Sequence, residues 1–371
     1  AATTQFDDPF GMGAITLVPV ESLNTLLLAA VVGALVGGVL QFAVQLPLVF
    51  RLIRGFRLSV STKVEGVKEA GKAFGPVVAG RGVAQVSGYV DTVLAGFAAA
   101  GTLGSIRPAL MLYILPISLF GMSVAASELP ELSRISQSRL AEFLGRVDRS
   151  MRQMLYLIVP TVVGYLGFGL VIVTAFFGGG AFGEQDAWLV TLILGGYTLG
   201  LGATSVSRLL QNSFYALGDT KTPATIAVAR VMVSGVVGAG LMFALDRVDV
   251  ASVVPVDVYG NRLTMAAVGL AIGASIGAWL ELLLLRRALR QQAEGFSLPA
   301  ARVAQMLGLA GLAAIPAALV LAFVPEGTFP PFVDAVVVVG LYGLVYLAAG
   351  HRLGFQEGEA WIGRFLRRAR R

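Results

Sequence analysis

Cysteine is absent from this 371-residue chain, so it can hold no disulfide and no thiolate metal site; the absence identifies no redox compartment. His351 is the one histidine, which argues against a metal site or a histidine-based catalytic triad. Charge is scarce as well. Asp, Glu, Lys and Arg make up 13% of the residues, where a soluble globular domain carries about 25%. Hydrophobic residues make up 56%, and the mean hydropathy is +0.79. This excludes an ordinary soluble domain and requires an integral membrane protein. No GxxxxGK run followed by Ser or Thr occurs, so nothing supports direct ATP hydrolysis. The opening AATTQFDDPFGMGAITLVPVE has no basic n-region, apolar core or small-residue cleavage site of a signal peptide, and reads as a polar tail or loop.

What is present is a series of apolar runs, each near the ~20 residues that cross a bilayer as a helix. About nine are legible, at 23–46, 74–100, 103–126, 153–177, 187–212, 223–245, 264–285, 301–324 and 332–350. The expected fold is therefore all-α, a polytopic membrane helix bundle with no β-sheet. Glycines inside the runs, as in Val32-Gly33-Ala34-Leu35-Val36-Gly37-Gly38, are read as helix-packing residues, because small side chains let helix backbones approach in lipid.

The net charge of +6 and pI near 9.8 would suggest nucleic acid in a soluble chain. Here the basic residues fall on alternate loops. Arg51, Arg54, Arg57, Lys63, Lys68 and Lys72 follow the first run, and Arg134, Arg139, Arg146, Arg149 and Arg152 the third. Lys221 follows the fifth, Arg286, Arg287, Arg290 and Arg302 the seventh, and Arg352, Arg364, Arg367, Arg368, Arg370 and Arg371 the ninth. The intervening loops are poor in positive charge. By the positive-inside rule the amino terminus lies outside and the carboxyl terminus in the cytoplasm.

Residues 74–133 organise the chain, because two membrane-length runs there carry Arg81, Gln85, Asp91 and Arg107. A charge at the centre of a membrane helix costs about 2.5–3.5 kcal/mol on insertion scales, so such residues face a bundle interior or a hydrated cavity. That points to a transport pathway rather than an anchor.

Four stretches carry a resemblance to a known family. They are Gly38-Val39-Leu40-Gln41 with Gln45-Leu46-Pro47; Gln85 with Asp91 and Gly101; Leu115-Pro116-Ile117-Ser118-Leu119-Phe120-Gly121 with Leu129-Pro130-Glu131-Leu132-Ser133; and Phe214-Tyr215-Ala216-Leu217-Gly218-Asp219-Thr220-Lys221-Thr222-Pro223. In that order they resemble the MurJ (MviN) lipid II flippases of the multidrug/oligosaccharidyl-lipid/polysaccharide flippase superfamily. The resemblance implies a transporter rather than an enzyme, one that flips the peptidoglycan precursor lipid II across the bacterial cytoplasmic membrane by alternating access. The implied partners are lipid II, membrane lipids, an amino-terminal lobe and cell-wall synthesis proteins, with no nucleic acid. No cofactor is implied; coupling to the membrane potential or to a monovalent cation stays open. The family has about fourteen helices, so the register makes these runs its sixth to fourteenth and the chain a carboxyl-terminal portion. A naturally shortened relative is the other reading. The implied division is an outer tail, one helix and a basic linker over 1–63, a six-helix lobe over 64–296, and an extra helix pair with a basic tail over 297–371.

A pyrophosphate-linked lipid needs cations in a central cavity, and the guanidinium fork binds phosphate oxygens bidentately. Arg81 and Arg230 are thus substrate-binding candidates, with Arg107 and Gln85 beside them. A structural ion pair, for example with Asp91, is the other reading of the first two. Interfacial anchoring is the other reading of Arg107, and Arg208 reads as an anchor too. Asp91 is a candidate for cation or proton coupling or for an ion pair. Glu281, close to Arg286 and Arg287, is expected at the interface. Thr222 is expected to cap the helix that Pro223 enters. The family's arginine before the proline-glycine motif aligns with Met111, and Arg107, one turn earlier, is its candidate substitute. Residues 127–152 read as an amphipathic surface helix, and the tail helix with Trp361 and Phe365 as a segment for the anionic inner leaflet.

Three other readings stay open. A flippase for a different undecaprenyl-linked glycan, or a cation exporter, fits the same superfamily. A membrane-embedded glycosyltransferase would need an outer-face acid such as Asp246, Asp249 or Asp257, and a non-transporting scaffold would need none.

Overall fold

The computed structural model describes residues 20–52, 74–75, 78, 82, 92–97, 102–135, 140–179, 182–254, 263–293, 295–324 and 328–358. Two units divide the chain, residues 1–70 and 71–371. The first contains α1 (Val20–Leu52), with Pro47 near its end and Arg51 in its last turn.

In the second unit, α2 (Thr102–Pro116) runs into a π-helical turn, Ile117–Met122, and then α3 (Ser123–Arg134). There follow α4 (Leu140–Phe177), α5 (Glu184–Thr198), α6 (Leu201–Ala216), α7 (Lys221–Leu245), α8 (Ala266–Gln292), α9 (Ala300–Phe323) and α10 (Pro331–Arg352). Among the described residues seven helices are long and apolar enough to cross a membrane, or eight when the bent α5–α6 pair counts as one span. These match eight of the expected runs, while the run at 74–100 lies largely outside the described residues. There is no β-sheet among them, only two isolated bridges, Gly179 with Phe182 and Asp249 with Thr264.

Prolines shape the bundle by orphaning carbonyls, and tyrosines repair the loss. Pro116 has no amide hydrogen to give to the carbonyl four residues back, that of Leu112. The Tyr165 hydroxyl of α4 donates to that Leu112 oxygen at 2.7 Å. Pro160 likewise deserts Tyr156, and the Tyr346 hydroxyl of α10 donates to the Tyr156 oxygen at 2.9 Å. One turn along, Tyr342 donates to the Pro160 carbonyl at 2.8 Å. In lipid no water can replace these bonds, so the proline sites fix where α10 docks on α4.

The expected span 187–212 is not continuous. It bends by 42° between α5 and α6. The break sits at Leu199-Gly200, where a Cβ on Gly200 would lie 2.7 Å from Ser275 Oγ of α8. That α8 surface supplies the missing donors. Ser275 donates to the Gly196 carbonyl at 2.6 Å, and the Trp279 indole to the Leu199 carbonyl at 2.9 Å.

Two further expectations change. Residues 127–152 form no separate surface helix; α3 and α4 extend their spans, and only residues 135–139 separate them. Arg146 clamps the two with 2.6 Å to Glu128 and 3.7 Å to Glu131. At the start of α7, Thr222 does not cap. Asp219 Oδ1 accepts from the amides of Lys221 at 3.2 Å and Thr222 at 3.0 Å, after Gly218 has turned the chain with φ +80°. Burial works against the charge of Asp219. The Thr222 amide and hydroxyl, the Gln292 side chain and the Lys221 amide nevertheless hold its carboxyl below the usual range.

The end of α10 is tied back to α9. Arg302 grips Glu357 through both carboxylate oxygens, at 3.0 and 2.8 Å, and lies 4.0 Å over the Phe355 ring. The amphipathic tail helix expected around Trp361 lies outside the described residues.

Candidate functional site: an ion pair at the end of a glycine ladder

Helices α7 and α8 run antiparallel with their backbones in contact. Every fourth residue of α8 on this face is a glycine: Gly269, Gly273, Gly277. A Cβ at Gly269 would lie 2.6 Å from the Leu241 carbonyl carbon, one at Gly273 would collide with the Gly238 Cα, and one at Gly277 would meet Ser234 Cβ at 2.8 Å and the Arg230 carbonyl at 3.1 Å. The next rung at the same spacing is Glu281. On α7 the opposing row runs Met242, Gly238, Ser234 and Arg230, also in fours. The ladder therefore ends with an acid facing an arginine.

That pair is made. Arg230 Nη1 donates to Glu281 Oε2 at 2.6 Å, and Gln211 Nε2 of α6 donates to Glu281 Oε1 at 2.8 Å. The Glu281 side chain is 1% exposed and that of Arg230 30% exposed. Each carboxylate oxygen thus has a donor, and the guanidinium keeps further donors toward its exposed side. Glu281 is enclosed by the bundle rather than open to solvent: the glycine ladder draws that turn of α8 against α7 and buries the carboxylate. Close by, the Tyr113 hydroxyl of α2 shares a 3.0 Å hydrogen bond with Thr204 of α6, and its ring stacks on Tyr197 with centroids 5.2 Å apart. Side-chain hydrogen bonds thus link α2 to α6 through Tyr113 and Thr204, and α6 and α7 to α8 through Gln211, Arg230 and Glu281.

The other predicted residues divide. Arg81, Gln85 and Asp91 lie outside the described residues. Arg107 is exposed on α2, and Met111, one turn on, is 64% exposed on the same face. No hydrogen bond or ion pair joins Arg107 to the Arg230 cluster among the described residues. Gln211 was missed by sequence reasoning, because a single amide in an apolar helix carries no signal of its own. The Arg230–Glu281 pair had a signal in the matched four-residue rows of α7 and α8.

Among the described residues no group of His, Asp or Glu could hold a metal ion. The loop after α7 is folded back on itself: Thr264 donates to Asp246 at 2.9 Å, and backbone bonds tie Val250 to Leu263 and Met265 to Val248. Asp257 lies outside the described residues.

Proline-interrupted helices, a broken span and a buried ion pair on apolar helices define a polytopic helical membrane protein. The family model for lipid II flippase MurJ matches residues 10–340. The chain belongs to the MurJ lipid II flippase family. It is 28% identical over 269 residues to a probable lipid II flippase MurJ of Haemophilus influenzae, covering 71% of this chain and 49% of that protein. It is 27% identical over 263 residues to the lipid II flippase MurJ of Burkholderia cenocepacia, covering 70% and 47%. The chain thus spans about half the length of these relatives. A solved lipid II flippase MurJ in an inward closed conformation superposes with a TM-score of 0.60 at 19% identity, covering 82% of this chain and 59% of that one. That likeness shows the fold.

Proposed function

We propose that this chain takes part in moving lipid II across the bacterial cytoplasmic membrane, as a multi-pass transporter rather than an enzyme. The observation that carries the reading is the family match over residues 10–340, on a fold that also superposes on a solved flippase. Residues 64–296 would form a lobe that rocks against a second lobe, with α9 and α10 as an extra pair held on α4 by Tyr342 and Tyr346. By the positive-inside rule the basic loops would be cytoplasmic, and the carboxyl terminus with them.

Within that reading the residues take different roles. Arg107, exposed on α2 beside Met111, is the arginine best placed to meet a pyrophosphate from this helix. Arg230 would offer its remaining donors while Glu281 holds it in place. Arg81, Gln85 and Asp91 stay candidates for the same cavity, Asp91 for coupling to a monovalent cation or the membrane potential.

The test uses a bacterium depleted of its own lipid II flippase and supplied with the gene that contains this sequence. An enzyme that cleaves lipid II, added from outside, reads how much lipid II has reached the outer leaflet. Restored cleavage supports the proposal. Lipid II that stays protected, with the protein present in the membrane, rejects it. Cleavage of lipid II lost selectively in an Arg107→Ala variant would assign that residue to the pathway.

A further inference from the structure

One face of α8 is left uncovered by the other described helices. Ile276, Trp279 and Leu283 follow along it at steps of three and four residues, 41%, 48% and 51% exposed, and Arg287 and Arg290 continue the same face. Such spacing keeps side chains on one side of a helix. Beyond Leu283 the surface opens into a depression of about 330 Å³ lined by Leu283, Arg286, Arg287, Arg290 and Gln291. None of these three arginines has an acidic partner among the described residues, and Arg286 Nε is buried without any hydrogen-bond partner there.

We propose that this face binds an anionic phospholipid of the bilayer. The headgroup phosphate sits among Arg286, Arg287 and Arg290, and an acyl chain lies along Leu283, Trp279 and Ile276. Cations at a helix carboxyl end complement the helix dipole, which would explain one basic residue in the last turn. It does not explain a depression lined by three, or a buried Nε with nothing to bond. A phosphate supplies several strong acceptor oxygens, and guanidinium groups match them in charge and geometry. The apolar part of the face points to a lipid source. Free phosphate would use the arginines and leave Leu283 and Ile276 irrelevant, whereas a phospholipid uses both halves. The Trp279 ring is already fixed by its bond to the Leu199 carbonyl, so the acyl surface is pre-formed. This site does not depend on which lipid the protein transports.

The experiment titrates the purified protein in neutral detergent with phosphatidylglycerol, phosphatidylcholine or inorganic phosphate, and reads bound lipid by native mass spectrometry. The wild type should bind phosphatidylglycerol more tightly than phosphatidylcholine. Each arginine replaced by glutamine should weaken phosphatidylglycerol binding about fivefold and leave phosphatidylcholine unchanged. Leu283→Gln should weaken the phospholipid as well. Arg287→Gln, at an exposed position, serves if the Arg286→Gln variant does not fold. Equal binding of the two lipids, or unchanged phosphatidylglycerol binding in Arg287→Gln, overturns the proposal. So does displacement of the lipid by inorganic phosphate at equal concentration, or by undecaprenyl pyrophosphate, which would make the site part of the transport pathway.

Discussion

Glu281 is held at 1% side-chain exposure by one donor from Arg230 and one from Gln211, so its charge is balanced only while both partners stay. Removing one member of a buried pair costs about 3–5 kcal/mol, whereas replacing both by apolar residues is often close to neutral. Arg230→Met should therefore destabilise the protein by roughly 3 kcal/mol, and adding Glu281→Leu should recover most of that loss. Chemical denaturation in detergent checks it; a double variant no better than the single would contradict it. The tyrosine repairs follow the same logic. Tyr346→Phe strands the Tyr156 carbonyl and should cost about 1–3 kcal/mol. In a Pro160→Ala background, where residue 160 can donate again, the cost of that change should fall. Arg230 was legible in the sequence as a charge needing a partner inside the bilayer. The partner was missed although the four-residue rows carry its register, since it lies 51 residues away and its neighbourhood to Arg286 suggested an interface.

The α7–α8 pair shows how much an element owes to what it lacks. Gly273→Ala forces a methyl into the Gly238 Cα and should destabilise by about 1–3 kcal/mol, as overpacking does. Gly240→Ala, with nothing within 4 Å of its Cβ, should be neutral or slightly stabilising and serves as the control. Thermal unfolding of the two variants separates them. At the turn into α7, the Asp219 carboxyl lies below its ordinary value of 3.8, so its contribution is fully present above that value and is lost as pH falls through the lower folded value. Asp219→Asn should remove that acid dependence while keeping the acceptor, and Asp219→Ala, which loses it, should cost about 1 kcal/mol at neutral pH. Element positions were readable because a bilayer imposes length and hydropathy on every span. Breaks were harder to read. The α5–α6 bend keeps its apolar composition, and its cause, Ser275 against Gly200, belongs to another helix. The linker at 127–152 was misread for a related reason: an amphipathic stretch looks alike whether it lies on the membrane or extends a span above it.

For the molecule as a whole, family membership rests on residues 10–340, while the chain spans about half of its full-length relatives. Four short motifs in order were enough to suggest the family from sequence, because prolines and glycines at helix breaks leave a readable trace. The roles of the arginines were less legible. Arg107 and Arg230 lie on separate helices, and only tertiary contacts show that Arg230 already has a partner. The central claim is transport of lipid II, and transbilayer movement tests it most directly. The protein, isolated from its own membranes, is reconstituted into liposomes carrying headgroup-labelled lipid II on both leaflets, and a membrane-impermeant quencher is added outside. The account predicts that the inner-leaflet label becomes quenchable with time, and that this movement is slowed in Arg107→Ala. Inner-leaflet label that stays protected in liposomes holding folded protein would contradict it.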